Sequence, residues 1–254
     1  MQLLFQISII IFVYMVIVFM IAWAKKDNSI VDIFWGPGFI LIAGFSLLRA
    51  ETIDLHKILM NLAVLAWSLR LSIHILLRNW GRDEDFRYKA WRDTWKHFVI
   101  RSFFSIFMLQ GLFMLIIAFP VYFVNSASSV EISAVDFFAM SFFLVGFTFE
   151  VVGDYQLKSF RKNPENKGRL MTTGLWGITR HPNYFGESLI WWSIALFALD
   201  HPGGWKTLLS PVILTFLLRF VSGVPMLERK YKGRPDWEEY RKKTAAFVPF
   251  MKFL

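Results

Sequence analysis

The chain has 254 residues, of which 56% are hydrophobic, 18% aromatic and 19% charged, and its formal net charge is +9. Ordinary soluble domains hold about 45–50% apolar and about 25% charged residues. This composition therefore excludes a cytosolic globule, a disordered chain and a collagen-like fibre. Because the sequence has no cysteine, it also excludes disulfides, cysteine-ligated metal centres and a thiol nucleophile.

Apolar runs follow one another along the chain, and most are long enough to cross a bilayer core of about 30 Å. The first lacks a basic segment before it and a small-residue cleavage site after it, so we expect a retained span and not a signal peptide. The second opens with Trp35-Gly36-Pro37-Gly38, which predicts a broken or kinked start. The sixth is short unless it begins near Asn183. We predict seven spans: residues 3–24, 33–48, 58–77, 99–124, 132–152, 183–199 and 208–224.

Lys and Arg residues lie mainly in alternate segments between these spans. Of the 28, 24 fall in residues 25–32, 78–101, 153–187 and 219–254, and three fall in the other segments. Because Lys and Arg accumulate on the cytoplasmic side, we expect the N-terminus outside and the C-terminus in the cytoplasm. The fold prediction is an all-α, polytopic helix bundle forming one integral membrane domain, 1–254. The positive charge then suits anionic lipids or an anionic cofactor, and we expect no nucleic-acid partner.

Several ionisable residues lie within or at the ends of these spans, where they are costly and usually face a cavity or a partner. Arg70 and His74 are four residues apart, so they share one helix face. Glu150 and Asp154 have the same spacing. Snorkelling or interhelical ion pairs would explain each of them structurally. The six residues are Arg70, His74, Glu150, Asp154, Glu187 and Arg219.

The polar segments and span ends hold arginines that suit bidentate phosphate contacts, which suggests a phosphate-bearing ligand. Contacts with lipid headgroups alone are the structural alternative. The sequence has no Walker loop, no GxGxxG motif after a strand and no metal-ligand pattern, so we predict no metal. Any dinucleotide would bind in a helical membrane cavity. The five arginines are Arg82, Arg161, Arg169, Arg180 and Arg219.

Residues 174–187 read GLWGITRHPNYFGE, which resembles the C-terminal signature of the steroid 5α-reductase family. The whole chain resembles the bacterial, DUF1295-like branch of that family. The resemblance implies a seven-span fold in a bacterial cytoplasmic membrane. It also implies NADPH-dependent reduction of a carbon–carbon double bond, often conjugated to a ketone, in a lipophilic small molecule. The supporting segments are residues 31–39, 78–95, 109–111 and 222–228.

The resemblance also implies which residues contact the cofactor. In the steroid enzymes a glutamate and a tyrosine polarise the substrate ketone, but Trp35 and Ser68 stand in those places here. Another group must therefore donate to the developing enolate oxygen. His74, Arg70 and Tyr184 are the candidate catalytic residues. The cofactor-binding residues implied are Asn79, Arg82, Asp154, Arg161, Arg169, Asn183, Tyr184 and Arg219.

A second resemblance leads to another reaction. The run Arg180-His181-Pro182-x-Tyr184, taken with Glu228, resembles membrane methyltransferases that act on isoprenylcysteine or phospholipids and use S-adenosylmethionine. That cofactor has a net positive charge, whereas NADPH carries three phosphates, so the arginines favour NADPH. A non-enzymatic bundle that binds or transports lipids is the third possibility, and membrane lipids are partners in each case.

Overall fold

The computed structural model describes residues 2–251, so the first residue and the last three of the predicted 1–254 domain lie outside the described residues. The all-α prediction is confirmed, because the described residues form helices and no β-strand. The β structure among them is limited to an isolated bridge between Thr179 and Ala245. The helices form two compact units. Unit 1 contains the described residues up to Ser133 together with Phe197–Thr207, and unit 2 contains Ala134–Leu196 together with the residues from Leu208 onward.

Unit 1 is built from helices of very unequal length. Its core is formed by apolar side chains that recur along one face of each long helix, such as Ile7, Ile11 and Met15. The helices are α1 (Gln2–Lys25), α2 (Ile30–Ile33), α3 (Trp35–Leu48), α4 (Leu55–Asn79), α5 (Phe86–Thr94), α6 (Phe98–Ser102), a π-helix (Phe103–Met108), α7 (Leu109–Ile117), α8 (Phe119–Ser126) and a short 3₁₀ helix (Phe197–Asp200).

The start of the second apolar run is broken, as the sequence predicts. Helix α2 ends at Ile33 and α3 begins at Trp35. Between them, the carbonyl oxygen of Phe34 accepts a hydrogen bond of 2.5 Å from the Tyr14 hydroxyl. Gly36 then lies directly against the backbone of α4, because a Cβ at this position would collide with the carbonyl oxygen of Ser68. The glycine therefore permits close packing of α3 on α4.

Buried polar contacts join the C-terminal end of α3 and the N-terminal end of α4 to α8. The ammonium group of Lys57 is fully buried and donates to the carbonyl oxygens of Thr52 at 3.0 Å and Ala127 at 2.8 Å. Asn125 on α8 donates to the Ser46 hydroxyl at 2.8 Å. Because buried donors and acceptors need partners, these contacts specify how the three helices meet.

Ion pairs tie α5 to the beginning of the chain. Asp32 accepts from Arg87 at 2.7 Å and from the Tyr88 hydroxyl at 2.6 Å. Glu84 accepts two hydrogen bonds of 2.8 Å from Arg92, and a third of 2.8 Å from the backbone N–H of Asn28. The charges of Arg87 and Arg92 are therefore neutralised within unit 1.

Unit 2 is organised around α9 and α11. A Cβ on Gly186 would lie 2.5 Å from the carbonyl oxygen of Gly146, so the two helices approach backbone to backbone at these glycines. The helices are α9 (Ala134–Lys162), α10 (Leu175–Ile178), α11 (Pro182–Leu196), α12 (Leu209–Phe216), a π-helix (Leu217–Val221), α13 (Val224–Glu228) and α14 (Pro235–Lys243), with 3₁₀ turns at Pro164–Asn166 and Arg229–Tyr231.

Six helices within residues 2–251 are long and apolar enough to cross a membrane. The predicted sixth span corresponds to α11, which at 15 residues is too short to be counted among these six helices. The integral-membrane character of the sequence is thus supported. The six spans are Gln2–Lys25, Ile30–Leu48, Leu55–Asn79, Phe98–Ile117, Ala134–Lys162 and Gly204–Tyr231.

Candidate functional site

The motif at residues 180–184 opens α11, and hydrogen bonds to a later segment fix its position. Pro182 is the first helical residue, where its missing N–H is not needed. Just before the motif, the Thr179 hydroxyl donates to the carbonyl oxygen of Phe247 at 2.7 Å. The next backbone N–H donates to the carbonyl oxygen of Ala245 at 2.8 Å. The backbone around Ala245 therefore holds the start of the motif.

Glu228 accepts hydrogen bonds at the centre of a buried ionic cluster. Arg180 donates to its carboxylate through Nε at 2.9 Å, and His181 Nε2 lies 3.0 Å from the same oxygen. An ionised carboxylate only accepts, so Nε2 carries the hydrogen here. Arg180 also donates to the carbonyl oxygens of Arg241 at 3.2 Å and Thr244 at 2.5 Å. The expectation that Arg180 faces a phosphate is wrong, because its charge is used within the protein.

His181 is buried, and its ring determines how Tyr184 is oriented. Burial lowers the pKa of His181 below its usual value, Glu228 opposes this shift, and the positive charges of Arg180 and Arg219 add to it. The imidazole is therefore neutral at pH 7. It stacks on the Tyr184 ring with centroids 5.5 Å apart and planes inclined by 9°. This stacking fixes the direction in which the phenol group points.

Arg219 lies in the π-helical segment Leu217–Val221, where the N–H of Ser222 donates to the carbonyl oxygen of Leu217 at 2.8 Å. Its guanidinium packs over the Phe220 ring, 4.8 Å from the centroid. The Nε atom of Arg219 is buried and has no hydrogen-bond partner among residues 2–251. Short π segments of this kind are frequent at functional sites.

Asn183 contributes another unsatisfied atom to unit 2, which also contains the buried Ser193 Oγ. The Oδ1 atom of Asn183 is buried and accepts no hydrogen bond from the described part of the chain. Leaving a buried polar atom without a partner costs about 1–3 kcal/mol, and native proteins contain few such atoms. A cationic donor at Arg219 and an amide acceptor at Asn183 match the phosphate oxygens and ribose hydroxyls of a nucleotide. These residues fit an anionic nucleotide cofactor.

The other predicted cofactor residues of unit 2 lie at the end of α9 and in the following loop. Asp154 is half-buried, whereas Arg161 and Arg169 are exposed. The two exposed arginines form no side-chain hydrogen bond or ion pair with the described residues. Their charges are therefore available to an anion.

The remaining predicted residues belong to unit 1. Asn79 ends α4, and the N–H of Arg82 donates to its carbonyl oxygen at 3.0 Å. This turn places Gly81 at φ +69°, a conformation that favours glycine. The Arg82 side chain is exposed, and Arg70 and His74 are half-buried one turn apart on α4.

Sequence reasoning left His181 without a role and named Glu228 only as part of the two family resemblances. The structure shows both in the same cluster with Arg180. Two features of the sequence pointed to this cluster: an Arg-His-Pro motif at the start of a helix, and a lone acidic residue near the end of the last span. Which acid the motif contacts cannot be read from spacing, because the two are 47–48 residues apart.

Comparison with known proteins gives one family match and two relatives. The family described as "Protein of unknown function (DUF1295)" matches residues 18–244. An uncharacterized protein of Schizosaccharomyces pombe is 26% identical over 257 aligned positions, which cover 88% of this chain and 73% of that protein. A protein of Ustilaginoidea virens named a probable O-methyltransferase is 50% identical over 42 residues, 16% of this chain and 15% of that protein. No solved structure matches the chain significantly.

The family match covers far more than half of the chain, whereas the match to the probable O-methyltransferase is confined to one short stretch. DUF1295 proteins are related to steroid reductase-like enzymes, so the resemblance noted in the sequence is confirmed at the level of the family. The two relatives are fungal proteins. The chain therefore belongs to the DUF1295 family of membrane proteins of unknown function.

Proposed function

We propose that this chain is an integral membrane oxidoreductase that binds NADPH and reduces a carbon–carbon double bond of a lipophilic substrate such as a steroid-like enone. One observation carries the proposal. Unit 2 holds a buried arginine nitrogen, Arg219 Nε, and a buried amide oxygen, Asn183 Oδ1, that the described chain leaves unsatisfied. Membership in a family related to steroid reductase-like enzymes supports this class of reaction.

Charge supports a phosphate-bearing cofactor. In the proposed complex Arg219 donates to a phosphate or ribose oxygen, and Asn183 accepts from a hydroxyl or amide group. Arg161 and Arg169 are exposed and bind the remaining phosphate groups, as arginine does through its planar fork of donors. The family resemblance adds Asp154, Asn79 and Arg82 to this set.

The chemistry requires a donor at the substrate ketone. NADPH, when bound, would supply the hydride for the β-carbon of the enone. The negative charge that then develops on the ketone oxygen would need a donor, and a proton from that donor or from water would complete the reduction. A well-placed donor at such an oxygen contributes about 2.7–4 kcal/mol to catalysis. Tyr184 is the preferred donor because His181 stacks on its ring and fixes its direction. His74 and Arg70 on α4 are the other candidates.

The test is a fluorescence titration of NADPH into the purified protein in detergent. We expect saturable binding that depends on the 2′-phosphate, with NADH as the comparison. Arg219→Ala should weaken binding at least about tenfold, because a hydrogen bond to a charged group contributes about 1.5–3 kcal/mol. Arg229→Ala removes an exposed arginine just after Glu228 and should leave binding unchanged. Equal affinity of wild type, Arg219→Ala and Asn183→Ala would contradict the assignment.

A methyltransferase is the second candidate function, and a specific observation favours it. The named relative with 50% identity over 42 residues is a probable O-methyltransferase. In this alternative S-adenosylmethionine would place its carboxylate on Arg219. Glu228, the carboxylate in the site cluster, is already bound by Arg180 and His181, so its charge is used within the protein.

The same titration separates the candidates. Saturable binding of S-adenosylmethionine without NADPH binding would assign the chain to the methyltransferases and direct the search to prenyl or phospholipid acceptors. Binding of neither cofactor would favour a bundle that binds or transports lipids. Arg219→Ala is informative in both enzymatic cases because it reports whether the assigned cation contacts the cofactor.

The proposal includes a membrane topology. We propose one domain with seven crossings, in which the 15-residue helix α11 supplies the additional crossing. The N-terminus is outside and the C-terminus is in the cytoplasm of a bacterial cell, because 24 of 28 Lys and Arg residues then lie inside. Reporter fusions after residues 165, 202 and 254 test it, since only the fusion after residue 202 should report a location outside, whereas a chain in which α11 does not cross would place residue 202 in the cytoplasm and residue 254 outside.

A further inference from the structure

Two neighbouring clefts lie in unit 1 at the end opposite the turn formed by Asn79 and Arg82. The larger has a volume of about 620 Å³, within the usual range for small-molecule sites. The smaller, of about 230 Å³, shares Leu3 and Ser126 with it. The two clefts therefore form one continuous groove beside the first turns of α1.

The two parts of the groove differ in chemistry. The larger cleft is lined mainly by apolar side chains, including Leu4, Phe119 and Phe123. The smaller is lined by polar groups, among them the exposed side chains of Arg49 and Glu51. A groove that is apolar at one end and carries both charge signs at the other matches an amphipathic molecule with a zwitterionic headgroup.

His201 supplies a polar contact within the apolar part. It lines the larger cleft and is only 5% exposed, yet its Nε2 has no hydrogen-bond partner among residues 2–251. The ring is held edge-on to His56 at 5.2 Å and to Phe123 at 6.4 Å between centroids, so it cannot turn easily toward another partner. A ligand oxygen would satisfy this atom and recover the cost of its burial.

We propose that this groove binds one zwitterionic membrane phospholipid, with an acyl chain in the larger cleft, an ester or hydroxyl oxygen at His201 Nε2 and the headgroup at Arg49 and Glu51. Burial lowers the pKa of His201, which keeps the ring neutral and suited to an uncharged oxygen. The groove involves none of the residues assigned to the cofactor. The binding of this lipid therefore does not rest on the proposed function.

The experiment uses a diazirine-labelled phosphatidylcholine in vesicles that contain the full-length protein, followed by peptide mapping of the cross-links. We expect saturable labelling of peptides around Leu4 and Phe123 that unlabelled phosphatidylcholine competes away. Ser128→Trp places a large side chain in the larger cleft and should abolish that saturable component. His201→Phe should reduce the apparent affinity about tenfold, the equivalent of one buried hydrogen bond.

The controls separate a built site from ordinary lipid contact. His97→Asn replaces an exposed histidine elsewhere in unit 1 by a residue that tolerates the left-handed backbone at this position, and it should behave as wild type. The Arg49→Ala, Glu51→Ala double variant should reduce the preference for phosphatidylcholine over a labelled fatty alcohol. Labelling that does not saturate, spreads over all apolar helix faces, or persists unchanged in Ser128→Trp would overturn the proposal. Because Ser128 is exposed, its replacement tests the site even if His201→Phe fails to fold.

Discussion

Arg180 and Glu228 are 48 residues apart in the sequence, yet the guanidinium Nε and the carboxylate Oε1 lie 2.9 Å apart, with 8% and 17% of the two side chains exposed. The same carboxylate contacts His181. This buried pair connects the start of α11 to the end of α13. It thereby links the two chain segments on which Asn183 and Arg219 lie.

Glu228→Ala should destabilise unit 2 strongly, because it leaves the buried Arg180 cation without its partner. Breaking one side of a buried ion pair costs about 3–5 kcal/mol, which should lower Tm by about 10 °C. Thermal unfolding in detergent measures the change. Glu239→Ala removes one half of the exposed pair with Lys243 and should have no measurable effect. Equal Tm values for the two variants would show that the buried pair does not stabilise the fold.

Gly186→Ala should destabilise the packing of α9 on α11. The new Cβ would lie 2.5 Å from the carbonyl oxygen of Gly146, so the helices must separate, at a cost of about 1–3 kcal/mol. Gly44→Ala is the matched control, because nothing lies within 4 Å of its Cβ position. Alanine in a helix stabilises by about 0.5–1 kcal/mol relative to glycine. We therefore expect Tm to fall for Gly186→Ala and to rise for Gly44→Ala. A rise for both variants would be incompatible with the close approach of α9 and α11.

Lys57→Met should destabilise unit 1, because it removes the donor to two buried carbonyl oxygens, those of Thr52 and Ala127. Each oxygen left unsatisfied costs about 1–3 kcal/mol. Lys158→Met on the exposed face of α9 is the control and should leave Tm unchanged. A more stable Lys57→Met protein would mean that desolvation of the ammonium outweighs its hydrogen bonds.

Lowering the pH should weaken the contact that Glu84, in the polar segment before α5, makes with Asn28 near the beginning of the chain. Burial alone would raise the pKa of Glu84, but hydrogen bonds from Arg92 and from the Asn28 N–H outweigh it and lower the pKa. The folded state therefore favours the ionised form above the unfolded pKa of about 4.3. This stabilisation is lost as pH falls through the lowered folded value.

The measurement compares the pH dependence of Tm in wild type and in Glu84→Gln. Between pH 7 and pH 3 the wild type should lose more stability than the variant, because only the wild type gives up the ionised contact with Arg92. Glu165→Gln changes an exposed carboxylate and should retain the wild-type pH profile. Parallel curves for wild type and Glu84→Gln would contradict a lowered pKa.

Hydropathy predicts the existence of the long helices well and their limits less well. The fifth predicted span covers residues 132–152, whereas α9 continues to Lys162, because a helix does not end where it leaves the apolar run. The fourth predicted span, 99–124, is one apolar run in sequence. The chain passes through a π-helix at Phe103–Met108 and begins a new helix at Phe119, just before Pro120. The short helix α11 shows that apolar character alone does not fix the number of crossings.

The candidate site was predictable as a set of residue types but not as a set of contacts. The Arg-His-Pro motif and Arg219 stand out in the sequence, yet nothing in their spacing shows that Glu228 takes up the charge of Arg180. That Arg219 Nε and Asn183 Oδ1 are buried without partners depends on packing from several elements. Such atoms are visible only once tertiary structure is known.

The π-helical segment Leu217–Val221 is the last turn of the helix that begins at Leu209, and it holds one residue more than an α-helical turn before the chain bends at Ser222. Each residue of an α-helix advances the face by about 100°. Deleting a single residue here would therefore return the segment to regular winding and rotate Arg219 away by about a quarter of a turn. Among relatives, a one-residue gap at this point would turn the arginine to a different face, even where the alignment retains the arginine itself.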